Sequence, residues 1–266
     1  MGLLDRLKRK TNPVPAKPAP SVAEPEQGPI LGFILLDESE VNFGTFVTAM
    51  QEDWNIPVDV QTEEETLIFE VDGLKVVCGY IPAPIPNQEV EESAGRNFLW
   101  PEAEQVTSTH KAQIIVSVMD HNDVTEAYTL FTKVASSLLR MPHAIALYMH
   151  PMVHEAGYYI EAAKALKENA LPIPLWIFIG LYRGENGRNM YTSGLKVFGK
   201  DEIEVIDSQQ DVAKLYEVLF LIVTHVIENN VILKHGETIG FSEDHKLAIE
   251  RTPGVAVEGY SLKIDI

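Results

Sequence analysis

A chain of 266 residues, 45% of them hydrophobic, can bury a sizeable core, so it reads as globular, with room for one large domain or two small ones. Its 39 acidic against 21 basic residues give a net charge of -18, which repels a polyanion over most of the surface and argues against nucleic acid as a partner. The single cysteine, Cys78, has no partner for an intrachain disulfide, and no apolar run reaches the ~18 residues a bilayer span needs; a cytoplasmic protein is expected.

The first ten residues carry Arg6, Lys8, Arg9 and Lys10 against Asp5, a net +3 that leaves -21 for the rest. Charge follows the apolar residues instead of preceding them, so this is not a secretory signal. Leu3, Leu4 and Leu7 on one side suggest a short amphipathic helix making at most weak peripheral contact with an anionic membrane, or with an acidic partner; a solvated, frayed end is the plainer alternative. Residues 11–29, with Pro13, Pro15, Pro18, Pro20, Pro25 and Pro29, read as a semi-extended linker.

The folded body starts at Ile30 with a buried strand over residues 30–36. A helix over 39–53 follows, capped by Ser39 or Asn42, with Val41, Phe43, Phe46, Val47 and Met50 turned to a core. Residues 63–71 and 74–81 pair through the turn Asp72-Gly73. A proline-rich extended stretch (82–86), an acidic helix (88–97) and a buried strand (112–118) complete the order strand, helix, strand, strand, helix, strand. That order predicts a ferredoxin-like α+β unit over 30–120.

Residues 121–266 predict a second α/β layer with antiparallel strands, packed with the first as one domain or standing alone. Its elements are a helix at 124–139, a strand at 144–148, a helix at 153–169 and a very hydrophobic strand at 175–182. A hairpin of strands 190–198 and 202–206 turns at Gly199. A long helix over 208–229 then draws one apolar stripe through Val212, Leu215, Val218, Leu219, Ile222, Val223, Val226 and Ile227, with Ser208 and Asp211 as capping oxygens. A turn at 235–240 precedes short strands at 246–249 and 259–264.

The run Tyr191-Thr-Ser-Gly-Leu-Lys-Val-Phe-Gly-Lys-Asp-Glu-Ile-Glu204, then the amphipathic helix, then Gly236-Glu-Thr-Ile-Gly240, resembles the bacterial family called domain of unknown function 4261 over about residues 175–241. The resemblance implies no activity and no catalytic residues. Gly194, Gly199, Gly236 and Gly240 read as backbone requirements of turns or close approaches. Glu202 and Glu204, two apart on a strand, share a face and read as solvated edge charges.

Histidine is the first candidate chemistry. His150 and His154 would sit one helical turn apart if the segment were helical, as a metal pair needs, but Pro151 spoils that spacing and the zinc-protease glutamate is missing; no metal is expected. His110, His150 and His154 remain candidates for a pocket, with Arg96. The loop Arg96-Asn-Phe-Leu-Trp100 is a candidate partner hot spot, or a loop tacked to the core by its aromatics. There is no Gly-rich phosphate loop, no nucleophile elbow and no separable acid pair, so no cofactor is expected. The leading expectation is a non-enzymatic protein-binding module of adaptor, immunity or accessory type. The alternative, a small-molecule binder or hydrolase, requires Arg96, His110, His150 and His154 to converge.

Overall fold

The computed structural model describes residues 28–60, 65–242 and 245–266. The basic segment at 1–10, most of the linker and the start of the 63–71 strand lie outside the described residues. Among the described residues, twelve strands form two sheets of six. The first holds β1 (Ile30–Leu36), β2 (Thr66–Val71), β3 (Leu74–Ile81), β4 (Ala112–Met119), β5 (Ala144–Met149) and β6 (Met152–Glu155), ordered β2-β3-β4-β1-β5-β6. The second holds β7 (Phe178–Arg183), β8 (Arg188–Ser193), β9 (Glu202–Ser208), β10 (Thr238–Ser242), β11 (His245–Pro253) and β12 (Tyr260–Ile264), ordered β10-β11-β12-β9-β8-β7. The helices are α1 (Gly44–Trp54), α2 (Glu89–Ala94), α3 (Ala103–Thr107), α4 (Val124–Leu138), α5 (Ala156–Ala163), α6 (Ile173–Trp176) and α7 (Val212–Glu228). The class is α+β.

The ferredoxin-like expectation is corrected by strand order. A split βαβ unit would insert one hairpin strand beside β1, whereas β4 separates β3 from β1 and pairs antiparallel with both. The helices also divide. α1 and α4 cover the face that carries Ile34 and Leu36, while α2 and α3 cover the opposite face through Val90, Ala94 and Ala103 against Leu35, Ala146, Tyr148 and Val153. Because β1 lies between two apolar layers, its sequence is a nearly unbroken apolar run. The first sheet continues through β5 and β6, so the sheets part after residue 155, later than a boundary at 120.

One continuous core joins the two sheets. In it Trp176 stacks on Phe198 with centroids 6.0 Å apart, and its indole N–H donates to Thr132 on α4 at 2.9 Å. The α7 stripe behaves as read: Leu215, Val218, Leu219, Ile222, Val223, Val226 and Ile227 are buried in this core. Its cap is Asp211, which accepts from the Lys214 N–H, while Ser208 ends β9 and donates instead to the Ile266 carbonyl. Asp72 (φ 52°) and Gly73 (φ 84°) make the expected hairpin turn. Cys78 is buried and desolvation pushes its thiol up to about 12, so it packs without reacting.

Four local readings change. Residues 153–155 belong to β6, because the chain reverses at His150-Pro151 and pairs β6 with β5 before α5 begins. The 190–198 strand ends at Ser193; Gly194 (φ 118°) turns it into a 3-10 turn over Leu195–Phe198, closed by Gly199 (φ 67°). Residues 173–176 form α6 ahead of β7, and Gly240 lies within β10.

Candidate functional site

The sequence motif around β9 is a set of answered polar groups. Glu202 and Glu204 are only 4% and 0% exposed, which overturns their reading as edge charges. The reason is topological: β9 lies between β8 and β12, away from either edge of its sheet. Glu202 accepts from the Thr192 hydroxyl (2.6 Å) and from the Gly194 and Lys196 N–H groups (2.9 and 3.3 Å), tying down the 3-10 turn. Burial nevertheless raises its pKa. Glu204 accepts from Lys263, the Ser261 hydroxyl and the Val255 and Ala256 N–H groups, so it holds the loop between β11 and β12. Burial works to raise its pKa, but these donors outweigh it and the carboxyl ends below its usual range. Beside them, Arg251 grips Asp201 through two nitrogens at 2.7 and 3.0 Å.

The candidate site lies elsewhere, where the two sheets meet. A cavity of about 330 Å³ is lined by Phe98, Leu99 and Trp100 from the loop between α2 and α3, Met152 to Glu155 of β6, Tyr158 of α5, Ile177 to Ile179 at the start of β7, and Tyr216 of α7. β6 and β7 are the edge strands of their respective sheets, so the cavity is bordered by two edges at once. Its walls are apolar and aromatic, and Phe98 meets Tyr216 edge to face at 5.9 Å. Asn97 fixes the loop: its amide donates to the Val153 carbonyl of β6 (2.8 Å) while its carbonyl accepts the Leu99 N–H (3.1 Å).

His154 breaks the apolar character of this wall, as do Asn97 and Glu155. Its ring lies 6.0 Å from Tyr158 in a stacked arrangement and 5.7 Å from Tyr159, and its Nε2 is buried with no hydrogen-bond partner among the described residues. Desolvation pulls its pKa down to about 4, so the imidazole is neutral at physiological pH.

The other predicted residues scatter. Of the five, only Trp100 and His154 reach this cavity. Arg96 is exposed and lines a separate depression with Glu91, Glu92 and Glu104. His110 is buried with both ring nitrogens engaged, Nε2 accepting from the Ile85 N–H (2.9 Å) and Nδ1 donating to the Thr107 carbonyl (2.6 Å), so it braces the extended stretch before α2. His150 is exposed at the turn, with Nδ1 3.2 Å from the hydroxyl of Tyr148, which donates to Glu89 at 2.7 Å. No group of three or more His, Cys, Asp or Glu side chains among the described residues is placed to hold a metal ion. A larger polar hollow beside α4 and α7 contains Lys200 and Asp123, but Lys200 already donates to Asn230 (2.6 Å) and Asp123 caps α4.

Sequence reasoning missed Phe178, Tyr158 and Tyr216 as cavity walls. The signal was present in part: Tyr216 sits at the margin of the α7 stripe, between Val223 and Ile227 in helical projection, where a helix surface is neither core nor solvent.

Residues 191–265, the C-terminal third, match the family model described as a domain of unknown function, DUF4261. The match takes in β8 to β12 and α7, extends to the last strands and begins after β7. Tyr216 is the one cavity residue inside it. No curated protein and no solved structure matches the chain. No helix among the described residues is long and apolar enough to cross a membrane.

Proposed function

We propose that the protein is a non-enzymatic, protein-binding module, of adaptor, immunity or accessory type, that receives an extended partner segment in the cleft between its two sheets. One observation carries this reading: the edge strands β6 and β7 of two separate sheets border a single apolar cavity. An unpaired edge offers main-chain donors and acceptors to an added strand, and a neighbouring pocket takes alternate side chains of that strand. Trp100 and the half-exposed aromatics around it are the residue types that dominate partner hot spots. The net charge of -18 favours a neutral or basic polypeptide over a nucleic acid, and a cytoplasmic setting suits the single reduced cysteine.

A second reading, a small-molecule binder, is favoured by the cavity volume of about 330 Å³, within the range such sites occupy. The hydrolase form of that alternative is tied to a shared pocket of Arg96, His110, His150 and His154, and these four lie apart.

Selection of a random peptide library on the full chain, followed by amide chemical-shift mapping, tests the proposal. Shifts at Val153 to Glu155 and Ile177 to Ile179 are expected, with binding lost in Leu99→Glu. Binders that map to another surface would overturn it.

A further inference from the structure

The first sheet is roofed unevenly. On the face opposite α1 and α4, the helices α2 and α3 pack over Leu35, Ala146, Tyr148 and Val153. Leu31, Ile68, Val77, Ile115 and Met119 share that face by strand alternation and register, yet among the described residues they join neither apolar layer. Ile68, Val77, Ser117 and Leu31 stand in one row across four strands, and Leu31 and Ile68 are 44% and 59% exposed. In the next row Gly79 lies opposite Ile115, and a Cβ on it would meet nothing within 4 Å, so the face is hollow there. A sheet buries its apolar face against another layer, and an apolar patch left open marks a contact. The patch sits on the β2 side of the sheet, away from the cleft at β6.

The described chain begins at the border of this patch. Gly28, three residues before Leu31, is held there by the His121 Nε2–H, which donates to its carbonyl at 2.8 Å. Residues 11–27 reach about 50 Å at a polyproline rise of ~3.1 Å per residue, and such a tether keeps residues 1–10 near the patch at about millimolar effective concentration. Leu3, Leu4 and Leu7 fall on one side of a helix, which over ten residues is about 15 Å long. The distance from β2 to β1, three strand spacings, is about 14 Å. Charge agrees. Residues 1–10 carry a net +3, and Glu65, Glu70, Asp72 and Asp120 are exposed around the patch, with Lys75 the one cation in its rows. A second copy of the chain would instead bring -18 against -18. We infer that residues 1–10 of the same chain pack over this face, with Leu3, Leu4 and Leu7 on Leu31, Ile68 and Ile115 and the basic side chains toward Glu70 and Asp120.

The test is paramagnetic relaxation NMR on the full chain. Cys78 is buried, so a nitroxide placed on Asp5→Cys labels a single site. Loss of amide signal is expected at Leu31, Ile68, Val77 and Ile115, with the signals of Ile177 to Ile179 at the cleft unaffected. Adding Leu3→Asp and Leu7→Asp to the labelled chain is expected to restore the lost signals; both changes lie upstream of Gly28 and leave the described body unaltered. Signal loss that survives the two changes overturns the leucine contact. No loss, or a loss centred on another surface, overturns the docking itself. Loss that appears only between a labelled chain and an unlabelled, isotope-enriched one assigns the face to a second copy and overturns the proposal. Flotation of the full chain with phosphatidylglycerol-containing vesicles, joined to no signal loss in solution, assigns the three leucines to a bilayer and overturns it equally.

Discussion

Glu204 and His154 are both withdrawn from water, one in the centre of the second sheet and the other where the sheets meet. Glu204 receives donors from Lys263, Ser261 and two backbone amides, all supplied by the chain that buries it. His154 receives none at Nε2, an atom withdrawn from solvent although the residue lines the cavity. A buried polar group costs free energy unless it is hydrogen-bonded, so the first arrangement offsets the cost of burial with its donors and the second does not. The difference separates a polar group that the chain answers from one that it leaves unanswered. The segment that matches a family is the answered one, and the cleft is built almost wholly from residues outside it.

The largest effect is expected at Glu204. Glu204→Ala strands the Lys263 ammonium and two amides of the 254–259 loop, and should cost about 3–5 kcal/mol in urea unfolding, the range for breaking one side of a buried ion pair. A cost below about 1 kcal/mol would mean that this carboxylate is not the organising group, and the comparison would lose its structural half. Next comes Glu202→Ala, which frees the 3-10 turn at Leu195–Phe198; about 1–3 kcal/mol is expected from the donors left unsatisfied.

The two glutamates should also respond to acid in opposite senses. Glu204 has a depressed folded-state pKa, so its contribution is present above the ordinary carboxylate value of 4.5 and is lost as pH falls through the folded value. Glu202 has a raised one, so its contribution is present below 4.5 and is lost as pH rises through its folded value. Urea midpoints at pH 7, 5 and 3.5 for Glu204→Gln and Glu202→Gln should therefore diverge from the unaltered protein on different sides of pH 4.5. Parallel curves would break the distinction between them.

Much of the fold was legible in periodicity. The α7 stripe, the Asp72-Gly73 hairpin and the apolar runs of β1 and β4 follow from local pattern, because burial on a known face leaves a repeat of 3.6, of 2, or none. What the pattern does not carry is neighbour choice. Whether β4 or β3 lies against β1 depends on where α2 and α3 pack, and both topologies share one order of elements. The same gap hid the burial of Glu202 and Glu204, since an edge strand and a central one with charged side chains look alike until the neighbours are placed. For the site, Trp100 and His154 stood out by residue type, whereas Arg96, His110 and His150 resembled them in sequence and differ in their partners. His110 and His154 make the point most directly: each is an imidazole near a strand end, and only the three-dimensional neighbours give one two hydrogen bonds and leave the other with an unanswered nitrogen.

His154 should reveal itself in stability. Its folded-state pKa of about 4 lies below the ordinary histidine value of 6.5, so the folded chain binds this proton less readily than the unfolded chain. The contribution is therefore full above pH 6.5 and is lost as pH falls toward 4. At pH 5 the loss relative to pH 7.5 is about 2 kcal/mol, from roughly one and a half units at 1.36 kcal/mol each. His154→Phe, packed between Tyr158 and Tyr159, should remove that slope while keeping the ring volume. An unchanged slope would show that His154 takes up protons freely, and with it the case for a desolvated imidazole would fail.

The smallest expected effect on folding falls on the cleft's lip. Leu99 is 60% exposed, so Leu99→Ala removes little apolar area from the core and should change stability by no more than about 0.5 kcal/mol. Its side chain nonetheless closes one border of the cavity, and a ligand seated there would cover it. Truncation should therefore weaken capture of a peptide selected to bind the cleft by about three- to tenfold, as a partly buried apolar contact of this size does, in calorimetry alongside an unchanged urea midpoint. A matched loss of both would place Leu99 in the architecture with Glu204. A loss of binding alone is what a surface shaped for something outside the chain produces.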